Sequence, residues 1–158
     1  EDDMTKFPVE GGCHCRSVRY AQFAPACSVQ YCHCARCRKL YGQLHACGGV
    51  IKRADLKITG AENLSTYRTS PSFENHFCKR CGCHLFAYED SEPVLMYYFP
   101  ATLDGGVHPG HPAGKECHIY VGSKAEWDII AGNLPQYDKA SPDEIVTAIQ
   151  RRDDVAGH

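Results

Sequence analysis

Phe77-Cys78-Lys79-Arg80-Cys81-Gly82-Cys83 is the stretch on which the fold turns. In Cys78-x-x-Cys81-Gly82 the two-residue turn lets backbone amides face the first sulfur. The glycine supplies the left-handed backbone such a turn needs. This is a zinc knuckle, and it brings two ligands where a tetrahedral site takes four. Cys13-His14-Cys15 can supply the other two, because residues two apart on an extended strand face the same side. Cys13, Cys15, Cys78 and Cys81 are therefore expected to close one zinc site that ties an early hairpin to a segment far along the chain. Closing so long a loop constrains the unfolded chain, which marks the site as structural.

Outward from that pair lies Cys32-His33-Cys34-Ala35-Arg36-Cys37. Cys32, Cys34 and Cys37 give three sulfurs within one short run. Three protein ligands with an exchangeable fourth position is the pattern of a catalytic zinc. Three thiolates leave the complex at a charge of about −1, which weakens the metal toward water but suits an incoming thiol. Two zinc ions, one structural and one catalytic, are the expected complement. Arg36, Arg38 and Lys39 either offset this charge and hold an acidic substrate, or are solvated surface charges. Cys83 either completes the second site or is a small core residue; the knuckle, already using Cys81, favours the latter. Cys27, Cys47 and Cys117 read as buried hydrophobes. His14, His33 and His84 read as spacers that point away from the sulfurs.

Eleven cysteines is an odd number, and the C-x-C spacing bridges poorly within itself. Clustered cysteines of this kind fit a reducing cytoplasm and a metal rather than disulfides. A chain of 158 residues is the size of one domain, and 43% hydrophobic with 23% charged residues belongs to a globular protein. A formal net charge of −2 offers no case for nucleic acid or an anionic membrane. No apolar run is long enough to span a bilayer. The acidic start Glu1-Asp2-Asp3-Met4 lacks the apolar region of a signal peptide.

Strands are expected at Ser17–Phe23, at Gln43–Ile51 with a bulge or turn at Gly48-Gly49, and at Leu56–Thr59 and Leu64–Tyr67. Further strands are expected at Phe73–Phe77, His84–Tyr88, Val94–Phe99 and His118–Val121. Two capping patterns, Ser123-Lys124-Ala125-Glu126 and Ser141-Pro142-Asp143-Glu144, predict short helices, the first carrying Trp127, Ile129 and Ile130. The Gly-, Pro- and His-rich run Leu103–Lys115 is a loop, serving either as a lid over the substrate site or as a solvent-exposed connection. The sum is a mainly β domain of short antiparallel sheets with zinc knuckles and small peripheral helices.

Gly11-Gly12-Cys13-His14-Cys15, Cys32-His33-Cys34-x-x-Cys37-Arg38, Phe77-Cys78-x-x-Cys81-Gly82, and a late His118-Ile119-Tyr120 followed by Lys124-x-x-Trp127 resemble the CENP-V/GFA domain family. This is the family of the glutathione-dependent formaldehyde-activating enzyme. The resemblance runs from about Gly11 to about Tyr137. It divides the chain into a tail at 1–10, the domain at 11–138, and a C-terminal helix and tail at 139–158. It implies an Mss4-like, mainly β fold, a structural zinc on Cys13, Cys15, Cys78 and Cys81, and a catalytic zinc on Cys32, Cys34 and Cys37. The implied activity is that of a carbon–sulfur lyase, with glutathione or another thiol as partner and formaldehyde as electrophile. Ala35 and Asn75 depart from the family pattern. Many members carry a small polar residue at the first position and a basic one at the second, which puts an acidic substrate in question. The competing expectations are a non-catalytic zinc scaffold, as in the centromere-associated relatives, and an enzyme of the same kind acting on another small molecule.

Overall fold

A computed structural model describes residues 5–142. Among the described residues ten strands form: β1 Val9–Gly12, β2 Arg19–Gln22, β3 Ser28–Cys32, β4 Ala46–Lys52, β5 Leu56–Thr59, β6 Leu64–Ser70, β7 Phe73–Cys78, β8 His84–Glu89, β9 Leu95–Tyr98 and β10 Glu116–Ile119. The α-helix α1 spans Ala35–Tyr41, and short 3-10 turns join other described elements. The fold is mainly β. A three-stranded sheet runs β1-β2-β5, and a seven-stranded sheet runs β10-β3-β4-β9-β8-β7-β6. Pairing is antiparallel except at the edge, where β10 lies parallel to β3. Among the described residues no helix is long and apolar enough to cross a membrane.

Strand alternation gives the large sheet two different faces. Ile51, Met96, Tyr98 and Phe86 share one face and meet Tyr20 and Leu56 of the small sheet, and Val18 just before β2, in a buried core. There the Tyr20 ring stands edge-on to Phe86 at 5.7 Å and to Tyr98 at 5.9 Å. Burying such rings is the chief apolar contribution to this core. Gln30, Cys32, Ala46, Gly48, Val50, Tyr97, Ala87, Asn75 and Phe73 share the opposite face through cross-strand pairing. The helix α1 lies over that face.

The expected strands form, with shifted ends; the last moves back to Glu116–Ile119. Gly48-Gly49 is not a bulge: both residues pair in unbroken register with Gln30 and Val29. Gly49 is instead a close approach, since a Cβ there would sit 2.7 Å from the Tyr98 ring. The helix expected to start at Ser123 is absent. A 3-10 turn covers Val121–Ser123, and Lys124 is already extended. Helix formation there would need an apolar face to bury. Trp127 and Ile129 stay exposed while Asp128 between them is buried. The helix expected after Ser141-Pro142 lies outside the described residues.

Candidate metal and substrate site

None of the eleven cysteines forms a disulfide. The β1–β2 connection carries Cys13 and Cys15, and the end of β7 with the following turn carries Cys78 and Cys81. The ligand atoms of these four lie within 4.8 Å of one another. The Cys13 and Cys15 sulfurs are 3.6 Å apart, as are those of Cys15 and Cys78. Four sulfurs placed about 2.3 Å from one zinc stand roughly 3.8 Å apart, so the group fits such an ion. The backbone amides of Val18 and Arg80 donate to the sulfurs of Cys13 and Cys78 at 3.4 Å each. Gly82 has φ 80°, the left-handed turn of a knuckle. The Cys15 thiol is lowered to about 6, foremost by its hydrogen bond to the Ser17 side chain. Cys83 belongs to neither sulfur group; it packs against the core and contacts the His84 carbonyl.

Cys32 ends β3, Cys34 caps α1, and Cys37 lies one turn into it. Their sulfurs also gather within 4.8 Å. The Cys34 sulfur accepts from the Cys37 amide at 3.2 Å, the place a serine or threonine hydroxyl usually fills. Gly42, left-handed at φ 64°, closes the helix. The Cys32 thiol is pushed up, foremost by its hydrogen bond with Cys34, and Cys37 by its hydrogen bonds with Cys32 and Cys34. A divalent cation among the three would relieve that crowding and bind them as thiolates. Both groups can hold a metal ion.

Cys32 and Cys37 also line a cavity of about 70 Å³ between α1 and the sheet. Leu40, Tyr41, Phe73, Tyr97 and Phe99 give the wall its large apolar and aromatic side chains, and Arg36 lines it too. The three basic residues around the motif thus part company. Arg36 enters the cavity wall, Arg38 donates to the Ser123 carbonyl at 3.1 Å, and Lys39 is exposed. Asn75 is a neutral, buried part of the wall; Tyr41 donates to its Oδ1 at 3.1 Å. No residue of the 103–115 loop lines the cavity.

His33 shows what motif reading overlooked. The alternation that sends Cys32 to one face of β3 sends His33 to the other. There its Nδ1 lies 3.2 Å from Asp128 Oδ2 and its Nε2 lies 2.9 Å from His118 Nδ1. The His45 ring is 5.0 Å from that of His33, and His33, His45 and Asp128 form a third cluster of potential ligands. Burial lowers His33 and His118, so the neutral forms prevail. A carboxylate only accepts, so His33 carries its proton on Nδ1 and accepts from His118 at Nε2. Cys27 and Cys47 are half-buried and Cys117 is buried, outside all three clusters. Burial pushes the Cys47 thiol up to about 11. His14 is exposed, and His84 stands edge-on to Tyr41 at 4.8 Å.

A family profile described as "Glutathione-dependent formaldehyde-activating enzyme" matches residues 8–123. A protein of Halomonas elongata, provisionally named a glutathione-dependent formaldehyde-activating enzyme, is 32% identical over 127 residues, covering 75% of this chain and 78% of its own. A Schizosaccharomyces pombe protein, named an uncharacterized lyase, is 27% identical over 99 residues, covering 62% of this chain and 69% of its own. The crystal structure of a Rhodobacter sphaeroides protein superposes with a TM-score of 0.53 at 28% identity, over 64% of this chain and 92% of that one.

Proposed function

Since the chain belongs to the glutathione-dependent formaldehyde-activating enzyme family, we propose that it is a zinc-dependent enzyme of the carbon–sulfur lyase type. It would join glutathione or another thiol to formaldehyde or a related small electrophile, and reverse that addition. The observation that carries this reading is the gathering of three sulfurs, Cys32, Cys34 and Cys37, at the wall of a cavity.

In this reading Cys13, Cys15, Cys78 and Cys81 hold a structural zinc that joins the two sheets. Cys32, Cys34 and Cys37 hold a second one with a position left for a guest. Zinc bound there would stabilise a substrate thiolate near neutral pH. The chain's own groups then orient the reaction. The Cys37 amide fixes the Cys34 sulfur, and Arg36 offsets negative charge beside the cavity. The apolar wall keeps water from the attacking sulfur. The thiol proton is returned to the oxygen of the carbonyl that the sulfur attacks.

Cobalt substitution tests the reading. Glutathione added to the cobalt protein is expected to change the thiolate-to-metal absorption. An unchanged spectrum at millimolar glutathione would overturn it.

A further inference from the structure

Behind the sulfur-bearing end of β3 lies a further set of metal-binding side chains, and none of them carries sulfur. His33, His45 and Asp128 each bring one donor atom, and the three atoms lie within 4.8 Å of one another. His33 Nδ1 and Asp128 Oδ2 are already 3.2 Å apart. An imidazole nitrogen and a carboxylate oxygen placed about 2.0–2.2 Å from one tetrahedral ion stand roughly 3.4 Å apart, so that pair needs little movement. His45 stands just ahead of β4, with its ring 5.0 Å from that of His33. It is half-buried while His33 and Asp128 are buried, which makes it the ligand freest to adjust and leaves solvent a way to the site.

Hydrogen bonding accounts for only part of this gathering. His33 Nδ1 meets Asp128, and His33 Nε2 meets His118 Nδ1 at 2.9 Å. His45 Nδ1 is buried and has no hydrogen bond. A buried polar atom with nothing to bond is unfavourable, and a metal ion is one partner that would relieve it.

We propose that His33, His45 and Asp128 form a third metal site, which takes a divalent first-row transition ion on two imidazoles and one carboxylate. Zinc, and cobalt in its place, suit such donors, and water completes the coordination. The ion displaces the hydrogen bond between His33 and Asp128. The His33 proton passes from Nδ1 to Nε2, and from there it is donated to His118 Nδ1. His118 in turn carries its own proton on Nε2, so the two rings together neither gain nor lose one. His118 thereby becomes the partner that fixes the tautomer of a metal-bound imidazole. The site is weaker than the sulfur groups. It has three protein ligands and a hydrogen bond to displace, and the Lys124 ammonium, bonded to the Asp128 main-chain carbonyl at 2.9 Å, is a like charge close by. It fills when metal is supplied and gives its ion to a chelator before the cysteines do.

The test titrates cobalt into the zinc-loaded full chain. One further equivalent is expected to bind with weak visible absorption and no thiolate-to-metal band, because no sulfur takes part. His45→Ala is expected to bind that equivalent at least about tenfold more weakly and to keep the sulfur-bound ions. His108→Ala alters a different histidine pair, stacked on His111 at 4.5 Å, and should leave the equivalent unchanged. In the wild type the paramagnetic ion should broaden the amides of His33, His45, His118 and Asp128 most, which places it without any variant. Three results would each overturn the proposal: no sulfur-free equivalent, one that survives in His45→Ala or is lost in His108→Ala, or broadening centred elsewhere. Failure of the sulfur-site reading would look different. The thiolate bands of a fully cobalt-loaded protein would be missing while the sulfur-free, His45-dependent equivalent remained.

Discussion

His33 Nδ1 sits 3.2 Å from Asp128 Oδ2, a contact between residues 95 positions apart and both nearly buried. It anchors a segment whose apolar residues, Trp127 and Ile129, do not. It also lies directly behind the C-x-C strand end that carries Cys32 and Cys34. The two faces of one dipeptide step thus serve a sulfur cluster and a histidine–aspartate network.

Asp128→Ala is expected to leave the His33 Nδ1–H without an acceptor. The loss should be about 1–3 kcal/mol, read as a lower urea midpoint with an unchanged slope. Because His33 sits between Cys32 and Cys34, the same variant should release zinc loaded into the proposed three-cysteine site faster to a chelator. Asp128→Asn keeps an acceptor oxygen and should recover part of both effects.

The cysteine spacings carried most of the site. Short-range chelating geometry is a local property, and C-x-C and C-x-x-C-G hold their sulfurs together whatever lies between. The histidine network was not legible, since His45, His118 and Asp128 reach His33 only through sheet pairing and a loop. Strands with β-branched or aromatic residues were found. The strands β1, with Gly11 and Gly12, and β3, interrupted by Ser28 and Gln30, were not. The helix α1 was missed because its cap is a cysteine, although Gly42 and the run of Arg, Lys and Leu before it signalled a helix and its end. Conversely, the Ser123–Glu126 box promised a helix that had no apolar surface to lie on.

Removing metal should separate the two groups. Cys78→Ser is expected to lower zinc from two per chain to one and to abolish cooperative unfolding at room temperature. The reason is that binding free energy at a structural site, of order ~10 kcal/mol in isolated knuckles, is folding free energy. Cys37→Ser should also lose one zinc but keep the wild-type amide spectrum away from α1. Cys83→Ser should keep both ions, because its sulfur lies outside both clusters. Metal analysis beside circular dichroism reads all three.

Two glycines should respond unequally to alanine. Gly42 and Gly60 are both left-handed, at φ 64° and 80°. A Cβ at Gly42 meets nothing within 4 Å, so Gly42→Ala should lose only the left-handed penalty of about 1 kcal/mol. At Gly60 the Cβ would fall 2.0 Å from the Ser17 backbone oxygen, which no rotamer change relieves. Gly60→Ala should lose more than about 2 kcal/mol by urea unfolding and shift amides around Ser17.

Acid should weaken the fold through its buried and half-buried histidines. His84, enclosed by Tyr41 and Phe77, is lowered from 6.5 by burial alone, and His33 and His118 are lowered foremost by burial as well. A histidine with a depressed native value binds its proton more readily when unfolded. Its contribution is therefore intact above pH 6.5 and drains away as pH falls from there toward the native value. Thiolate protonation releases metal over the same direction of pH, so the two must be separated. His84→Gln does this, since it removes one titrating group and touches no sulfur. Wild type and variant, matched for zinc content, should differ in the slope of Tm against pH between roughly 7.5 and 5.5, the variant's being shallower. Parallel slopes would show that His84 is as free to charge in the native protein as in the unfolded chain.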